Sequence, residues 1–132
     1  MDLYFIVKHA FDYTNESAYQ ELRQTDSFKK HDMIEVTAPP HYVDPIGWYL
    51  SLSFDDHDFY MSASRLESYY KQGYVATMDD LLLARNYNLY KINWALDERN
   101  KEQFDRHTKH LYEIENFIKR AEEAVKPGIP SL

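Results

Sequence analysis

Two histidines, His107 and His110, stand three residues apart in a stretch with helical periodicity, and Glu113 follows three residues later. Side chains at that spacing are neighbours on a helix surface, and imidazole and carboxylate groups are common zinc ligands. A metal ion needs a further ligand, and no other residue is marked as one. His107 also falls on the apolar seam of the helix, where a hydrogen-bonded core histidine is the simpler interpretation. The sequence therefore predicts no metal and no cofactor.

A second cluster of ionisable side chains consists of Asp55, Asp56, His57 and Asp58. Carboxylates so close together can bind a hard cation. The spacing lacks the mid-loop glycine and the closing glutamate of an EF-hand, and aspartate is a common turn former. We interpret this cluster as a solvated turn.

Templates for catalysis are absent from the sequence. No serine lies in a Gly-x-Ser-x-Gly elbow, and three glycines are too few for a phosphate-cradling loop. His41 or His57 beside an aspartate would make a general base, but six histidines among 22 acidic residues offer such pairs anyway. The sequence predicts a protein that is not an enzyme. A small metal-assisted hydrolase using His57 or the His107 and His110 pair is kept as an alternative.

The aromatic content points instead to an interaction surface, since 132 residues include 12 Tyr, 7 Phe and 2 Trp. Tyrosine joins a large ring to a polar hydroxyl, which suits half-buried surfaces and interfaces, although it also adds bulk to a core. Trp48 alternates in phase with Leu50 and Leu52 and is predicted to lie in the core. The side chains predicted to contact a partner protein are Tyr42, Tyr49, Asp55, Asp56, Asp58, Tyr69 and Tyr70.

The net charge of −7 is concentrated in the first part of the chain. Residues 1–80 hold six basic and fourteen acidic residues, a balance of −8, and residues 81–132 hold nine against eight, a balance of +1. An acidic surface repels phosphate backbones, which argues against nucleic acid as a partner. It would attract a basic partner or imitate nucleic acid.

Targeting signals are also absent. The first residues lack the basic segment and long apolar run of a signal peptide, and no apolar run is long enough to cross a bilayer. The chain has no cysteine, which fits a reducing compartment. We expect a cytoplasmic protein with no membrane partner.

Strand patterns dominate the first half. Residues 3–10 are apolar on both faces, as in a strand covered on both sides, with a short buried helix as the alternative. Thr14 or Ser17 is expected to cap a short helix over residues 19–22. A second strand over residues 33–37 is expected to end at Pro39 and Pro40. Residues 48–54 alternate with period two and, with residues 59–63, predict an antiparallel hairpin around the acidic turn.

Helical patterns follow. Ser64 is expected to cap a short helix that ends at Gly73. Thr77 is expected to cap a long helix that follows. Asn86 and Asn93 are expected to lie, as buried amides, between two apolar stripes that make the long helix central. These stripes are Leu82, Leu89, Ile92, Leu96 and Leu83, Tyr87, Tyr90, Trp94. The last helix carries a heptad seam of Phe104, His107, Leu111, Ile114, Ile118, Ala121 and Val125.

The bend between the two long helices has its own signature, with Asn100 placed as an N-cap and Gln103 three residues later. Ile92, Ala95, Leu96 and Asp97, followed by residues 100–102 and Phe104, resemble the IDEAL domain, a short C-terminal module of Firmicute proteins. The resemblance covers roughly residues 78–118 and departs at Asn93 and Trp94, where the family has an acidic pair. It implies a helical hairpin and a regulatory role, since some members are linked to Clp proteolysis. At the bend itself we single out Asp97, Arg99 and Asn100.

The sequence as a whole predicts one α+β domain, with a small mainly antiparallel sheet and short helices followed by a C-terminal antiparallel helical hairpin. Residues 1–76 form the acidic α+β part, residues 77–126 the hairpin, and residues 127–132 a tail. The predicted function is that of a cytoplasmic adaptor or regulator that binds another protein, with a homodimer left open. An acidic inhibitor or nucleic-acid mimic, in one version encoded by a phage, is the main alternative.

Overall fold

The computed structural model of the chain describes residues 3–15, 23–45 and 47–125. It is an α+β protein, as predicted, and divides into two units, Met1–Thr77 and Met78–Leu132. This division lies one residue from the predicted boundary between residues 76 and 77. The two units are described in turn.

The first unit is built on a five-stranded antiparallel sheet with the strand order β6-β5-β4-β1-β7. Strands β2 and β3 pair separately, also antiparallel. One helix, α1, follows β6. The elements are β1 (Leu3–Val7), β2 (Phe11–Thr14), β3 (Thr25–Phe28), β4 (Met33–Val43), β5 (Gly47–Phe54), β6 (His57–Ser62), α1 (Ala63–Lys71) and β7 (Val75–Ala76).

One face of the large sheet carries the core of this unit. The register places Phe5 opposite Ile34 and Leu52 opposite Phe59, so these side chains share a face. The β2–β3 pair and α1 add their own apolar side chains to that face, and removal of this area from water is the main source of stability. The buried members of the core are Val7, Tyr13, Phe28, Ile34, Leu52, Phe59, Met61, Leu66 and Val75.

Strands β2 and β3 correct the prediction for this stretch. Thr14 ends β2 and does not cap a helix, and its hydroxyl lies 2.7 Å from the hydroxyl of Thr25 on β3. The helix expected over residues 19–22, and its other proposed cap Ser17, lie outside the described residues. Each strand has four residues, which is too short for an alternating pattern to be distinguished from chance.

Strand β4 continues through Pro39 and Pro40, where the sequence predicted a break. The register with β5 shifts between Ala38 and His41, so one extra residue is accommodated there as a bulge. Strand β1 pairs with β4 only as far as Val36. Beyond that point the outer edge of β4 has no neighbouring strand in the described residues, and prolines are tolerated on such an edge.

The ends of α1 are fixed by local hydrogen bonds. Ser62, two residues before the predicted cap Ser64, accepts the N–H of Arg65 at 3.2 Å. At the other end Gly73 has a φ of 84°, as its predicted role requires. The Gly73 N–H donates to the Tyr70 carbonyl at 3.1 Å and the Tyr74 N–H to the Tyr69 carbonyl at 3.0 Å, which is a Schellman motif.

The second unit is a pair of long helices, α2 (Met78–Asp97) and α3 (Lys101–Val125). Buried residues on α2 recur every seven positions, at Leu81, Asn88 and Ala95. The seam predicted on α3 is confirmed at His107, Ile118 and Ala121, which are buried, whereas Val125 is exposed and Phe117, which was not predicted, is buried.

The prediction that α2 is a central helix is wrong. Asn86 and Asn93, expected to be buried, are exposed, and Asn88 is the buried amide. Most of the predicted apolar stripes are exposed as well. A single neighbouring helix covers one narrow seam of α2, so apolar residues elsewhere on its circumference stay in contact with water.

Candidate functional site

An exposed aromatic pair of the first unit lies at the free end of the β4–β5 ribbon. Strand β6 pairs with β5 only as far as Tyr49, so residues 37–43 and 47–48 project beyond the neighbouring strands. We call these residues the ribbon tip. On one face of the tip Tyr42 stands opposite Trp48, with ring centroids 5.6 Å apart and an interplanar angle of 73°. Both side chains are 56% exposed.

The other face of the ribbon carries a second aromatic group. His41 stands opposite Tyr49, with ring centroids 6.4 Å apart, and the ring of Tyr60 on β6 meets His41 edge-on at 5.9 Å. Tyr49 is half-buried and Tyr60 is exposed. The ribbon thus presents aromatic rings on both faces.

The exposure of Trp48 corrects the prediction that it lies in the core. Its side chain does share a face with Leu50 and Leu52, as the alternation indicated, and Leu52 is fully buried. The side chains that form the core do not extend as far as the ribbon tip, however, so the Trp48 side chain is not covered. Gly47, with a φ of 116°, starts β5 at the tip opposite Val43.

The acidic turn lies at the opposite end of β5. Asp55 and Asp56 have φ values of 52° and 63°, the combination that a two-residue type I′ hairpin turn requires, and Phe54 pairs with His57 across it. The predicted turn is confirmed at Asp55 and Asp56, whereas His57 and Asp58, which were expected in it, already belong to β6. Asp58 follows on β6, and all three aspartates are exposed. The eight residues of β5 span roughly 23 Å, so these carboxylates and the ribbon tip do not form one patch.

A contact between a histidine and an aspartate adjoins this turn, together with a small cleft. His57 Nε2 lies 3.4 Å from Asp26 Oδ1, and the His57 ring stacks on Phe59 at 5.9 Å. The cleft measures about 210 Å³, below the roughly 300–1,000 Å³ of typical ligand pockets. Its lining residues are Tyr13, Asn15, Gln24, Asp26, His57, Asp58, Phe59 and Tyr60.

Tyr69 and Tyr70, the remaining predicted contact residues, lie on α1 and face different surroundings. The Tyr69 ring packs at 4.6 Å from Phe11 and 6.2 Å from Tyr74, which makes it part of the core boundary. Tyr70 is exposed and borders a shallow apolar cleft that includes Phe5.

At the helical bend, Arg99 and Asn100 make hydrogen bonds that end α2 and begin α3. Arg99, with a φ of 52°, donates its N–H to the Leu96 carbonyl at 3.2 Å. The Asn100 N–H donates to the Ala95 carbonyl at 2.8 Å, which completes a second Schellman motif. The Asn100 side chain accepts the Gln103 N–H at 3.1 Å, which confirms the predicted N-cap. Asp97 is the exposed last residue of α2.

His107 and Asn88 are buried polar side chains of the helical pair. The Nδ1 atom of His107 lies 2.9 Å from Asn88 Oδ1, and the Asn88 Nδ2 donates to the Ala84 carbonyl at 2.8 Å. Burial lowers the pKa of His107 from its ordinary value of 6.5, and nearby Lys91, Arg106 and His110 lower it further. The interpretation of His107 as a hydrogen-bonded core histidine is confirmed.

The two histidines that the sequence places at a metal-ligand spacing are His107 and His110. His110 is exposed, and its ring centroid lies 6.2 Å from that of His107. Within residues 3–15, 23–45 and 47–125, no group of three His, Asp or Glu side chains is placed to hold a metal ion. No helix in the described part of the chain combines the length and the apolarity needed to cross a membrane.

Sequence reasoning missed three features. Trp48 was assigned to the core, Asn88 was not considered, and the outer side of α2 was expected to be covered. The sequence does show a spacing of three and four residues on the outer side of α2, at Leu83, Tyr87, Tyr90 and Trp94. Such a spacing indicates an apolar stripe but does not indicate whether another element covers it.

No protein-family model matches the chain, and no curated protein or solved structure is significantly similar to it. The resemblance of residues 78–118 to the IDEAL domain therefore stays a prediction from the residues.

Proposed function

We propose that the protein is a non-catalytic adaptor or regulator that binds another protein, and that the ribbon tip is its contact surface. The observation that carries the proposal is the Tyr42 and Trp48 pair, half exposed on a projecting ribbon. The proposal places the protein in the cytoplasm, in keeping with a sequence that has no cysteine.

The pair has the properties of an interface anchor. Tryptophan and tyrosine are the side chains most enriched among residues that dominate binding energy. Each has only two side-chain torsions, and each ring here already restrains the other, so little conformational entropy is lost when a partner covers them. An exposed pair of this kind gives the protein nothing in stability, which favours a role in recognition.

The proposed surface differs from the set predicted from the sequence. Tyr42 is kept and Trp48 is added. Asp55, Asp56 and Asp58 lie at the far end of β5 and act, in this proposal, only on the rate of association, through long-range attraction of a basic partner. An acidic inhibitor or nucleic-acid mimic would instead depend mainly on these carboxylates.

The experiment is affinity capture with three forms of the full chain, namely the native protein and the variants Trp48→Ser and Tyr112→Ser. Tyr112 is the control because it is an exposed aromatic residue on α3 and forms no part of the ribbon. We expect a specific protein to be captured by the native chain and by Tyr112→Ser and to be lost with Trp48→Ser.

The captured protein would then be tested for salt dependence. Contact through the ribbon tip should persist when the salt concentration rises, because apolar burial is not screened. A partner lost in high salt and on charge reversal of Asp55 and Asp56, but retained by Trp48→Ser, would replace this proposal with the acidic mimic.

A further inference from the structure

An apolar stripe of exposed side chains runs along α2 beside the seam that α3 covers, and one of its members, Tyr87, also meets the ring of the buried His107 edge-on at 6.1 Å. The stripe consists of Leu83, Tyr87, Tyr90 and Trp94, and we call it the α2 stripe. Leu83 and Tyr90 are 68% and 66% exposed, and Tyr87 and Trp94 are exposed as well. Their spacing of four, three and four residues is that of a heptad seam, the pattern by which one helix packs against another. Helix α2 thus carries two seams, and α3 covers the first.

The size of the stripe fits one helix. Side chains of this kind present about 200 Å² each, and somewhat more than half of that is exposed, so the stripe offers on the order of 400 Å². A stable dimer of globular chains buries about 800 Å² on each side. The four residues span roughly 17 Å along the axis, or three turns. This is the contact length of a short amphipathic helix laid along α2.

The charges beside the stripe indicate the chemistry of that helix. Asp79 and Asp97 are 18 residues apart, which is five helical turns, so they lie on one line along the same flank. Asn86 and Asn93 stand between them, and all four side chains are exposed. This flank therefore offers two carboxylates, one at each end, with amides and no cation between them.

A second copy of the chain is a poor match for the stripe. A two-fold axis through its centre would place the end that carries Asp79 in one copy beside the end that carries Asp97 in the other. Like charges would then meet at both ends of the contact, which disfavours the pairing. The opposite flank carries Lys91, whose ammonium group lies 4.7 Å from the centre of the Trp94 ring. The same flank carries Asp80 and Glu98, which are also 18 residues apart, so a second copy would bring like charges together at both of its ends as well.

We propose that the α2 stripe binds one amphipathic helix of another protein, with the apolar seam of that helix on the stripe and basic residues along the Asp79 and Asp97 flank. This site goes beyond the ribbon tip and does not depend on it. The partner helix completes a three-helix arrangement with α2 and α3.

The test uses synthetic helical peptides of about 18 residues with one Leu and Ile seam. One peptide carries Lys along one flank, and a second carries Glu at the same positions. Binding to the full chain is measured by fluorescence anisotropy at low salt. We expect saturable binding of the Lys peptide and binding of the Glu peptide that is at least about tenfold weaker. Asp79→Asn combined with Asp97→Asn should remove this preference.

Two serine variants locate the binding site. Tyr90→Ser should weaken binding of the Lys peptide about tenfold or more, as expected for an aromatic anchor. Tyr112→Ser is the matched control, because Tyr112 is 76% exposed on α3 and is not part of the stripe. It should leave binding unchanged.

Several results would overturn the proposal. The first is that binding of the Lys peptide does not saturate, and the second is that the Glu peptide binds with the same affinity. The third is that Tyr90→Ser and Tyr112→Ser weaken binding of the Lys peptide equally. A native dimer that Tyr90→Ser converts to a monomer in sedimentation would make a second copy the occupant. A drop in melting temperature with Tyr90→Ser that Tyr112→Ser does not show would mean that this chain itself covers the stripe. Capture that Trp48→Ser retains, together with saturable binding of the Lys peptide, would refute the ribbon tip as a contact surface and leave the α2 stripe supported.

Discussion

Glycine at position 99 is expected to make the helical pair more stable than alanine at the same position. Arg99 occupies the left-handed position of the second Schellman motif, with a φ of 52°, and the corresponding position after α1 is held by Gly73. A side chain at such a φ brings its Cβ close to the following carbonyl oxygen, whereas glycine has no Cβ. The two motifs have the same hydrogen bonds but residues of opposite suitability at the critical position.

The size of the effect follows from two opposing contributions. The left-handed conformation costs a non-glycine residue about 1–2 kcal/mol. Glycine loses roughly 0.5–1 kcal/mol more backbone entropy on folding than other residues. The difference favours Arg99→Gly by about 0.5–1 kcal/mol. For a chain of this size, this backbone contribution by itself corresponds to a change in melting temperature of roughly 2–4 °C.

The charge of Arg99 must be separated from its backbone. A cation at the C-terminal end of α2 is favourable by about 0.3–1 kcal/mol, and Arg99→Gly removes it. Arg99→Ala removes the same charge but keeps the Cβ, so the difference between the two variants reports the backbone alone. We expect Arg99→Gly to be the more stable of the two by about 1 kcal/mol in urea unfolding followed by circular dichroism.

Gly73→Ala is the reciprocal control. An added Cβ at Gly73 would meet no atom within 4 Å, so the expected loss of about 1 kcal/mol comes from the φ of 84° and not from a clash. Equal stability of Arg99→Gly and Arg99→Ala would refute the reasoning, because it would mean that the bend imposes no left-handed strain on Arg99.

Two further predictions concern the histidine and the sheet. The low pKa of His107 means that the unfolded chain binds the proton more readily, so stability is lost as the pH falls below about 6.5, the ordinary value. Urea midpoints at pH 7 and pH 5 should differ less in His107→Gln than in the native protein, and an unchanged difference would assign the effect to other groups. Leu52→Ala should cost about 2–5 kcal/mol, because Leu52 is fully buried, and Trp48→Ala less than about 1 kcal/mol. Similar losses in thermal unfolding would place Trp48 back in the core.

Local patterns predicted local structure well. The alternation of residues 48–54 and the aspartates at positions 55 and 56 predicted the hairpin and its turn, because both depend on neighbouring residues alone. Asn100 was predicted as a cap for the same reason, since its oxygen has only to reach the N–H of Gln103. Gly73 was predicted from its place just after an apolar helix.

The misassigned residues depend on distant elements. Alternation placed Trp48 on the correct face, but whether that face is covered depends on how far β2, β3 and α1 extend over it. The same holds for α2, where an apolar residue such as Tyr90 shows which surface would gain from cover but not whether the chain provides it. Asn88 became the buried amide because His107, nineteen residues away, offers a hydrogen-bond partner. These are properties of the tertiary arrangement.

The two prolines of β4 help to explain why the uncovered edge of the ribbon tip need not lead to aggregation. A bare strand edge is a template on which another extended chain can add by backbone hydrogen bonds, and successive additions lead to aggregates. Pro39 and Pro40 remove two successive N–H groups from β4 at its bulge, just where β1 no longer covers the strand. An incoming strand would find no regular row of donors there. The ribbon can thus keep its aromatic faces open to water while its edge resists the addition of further strands. We expect replacement of these prolines to make the protein more prone to aggregate.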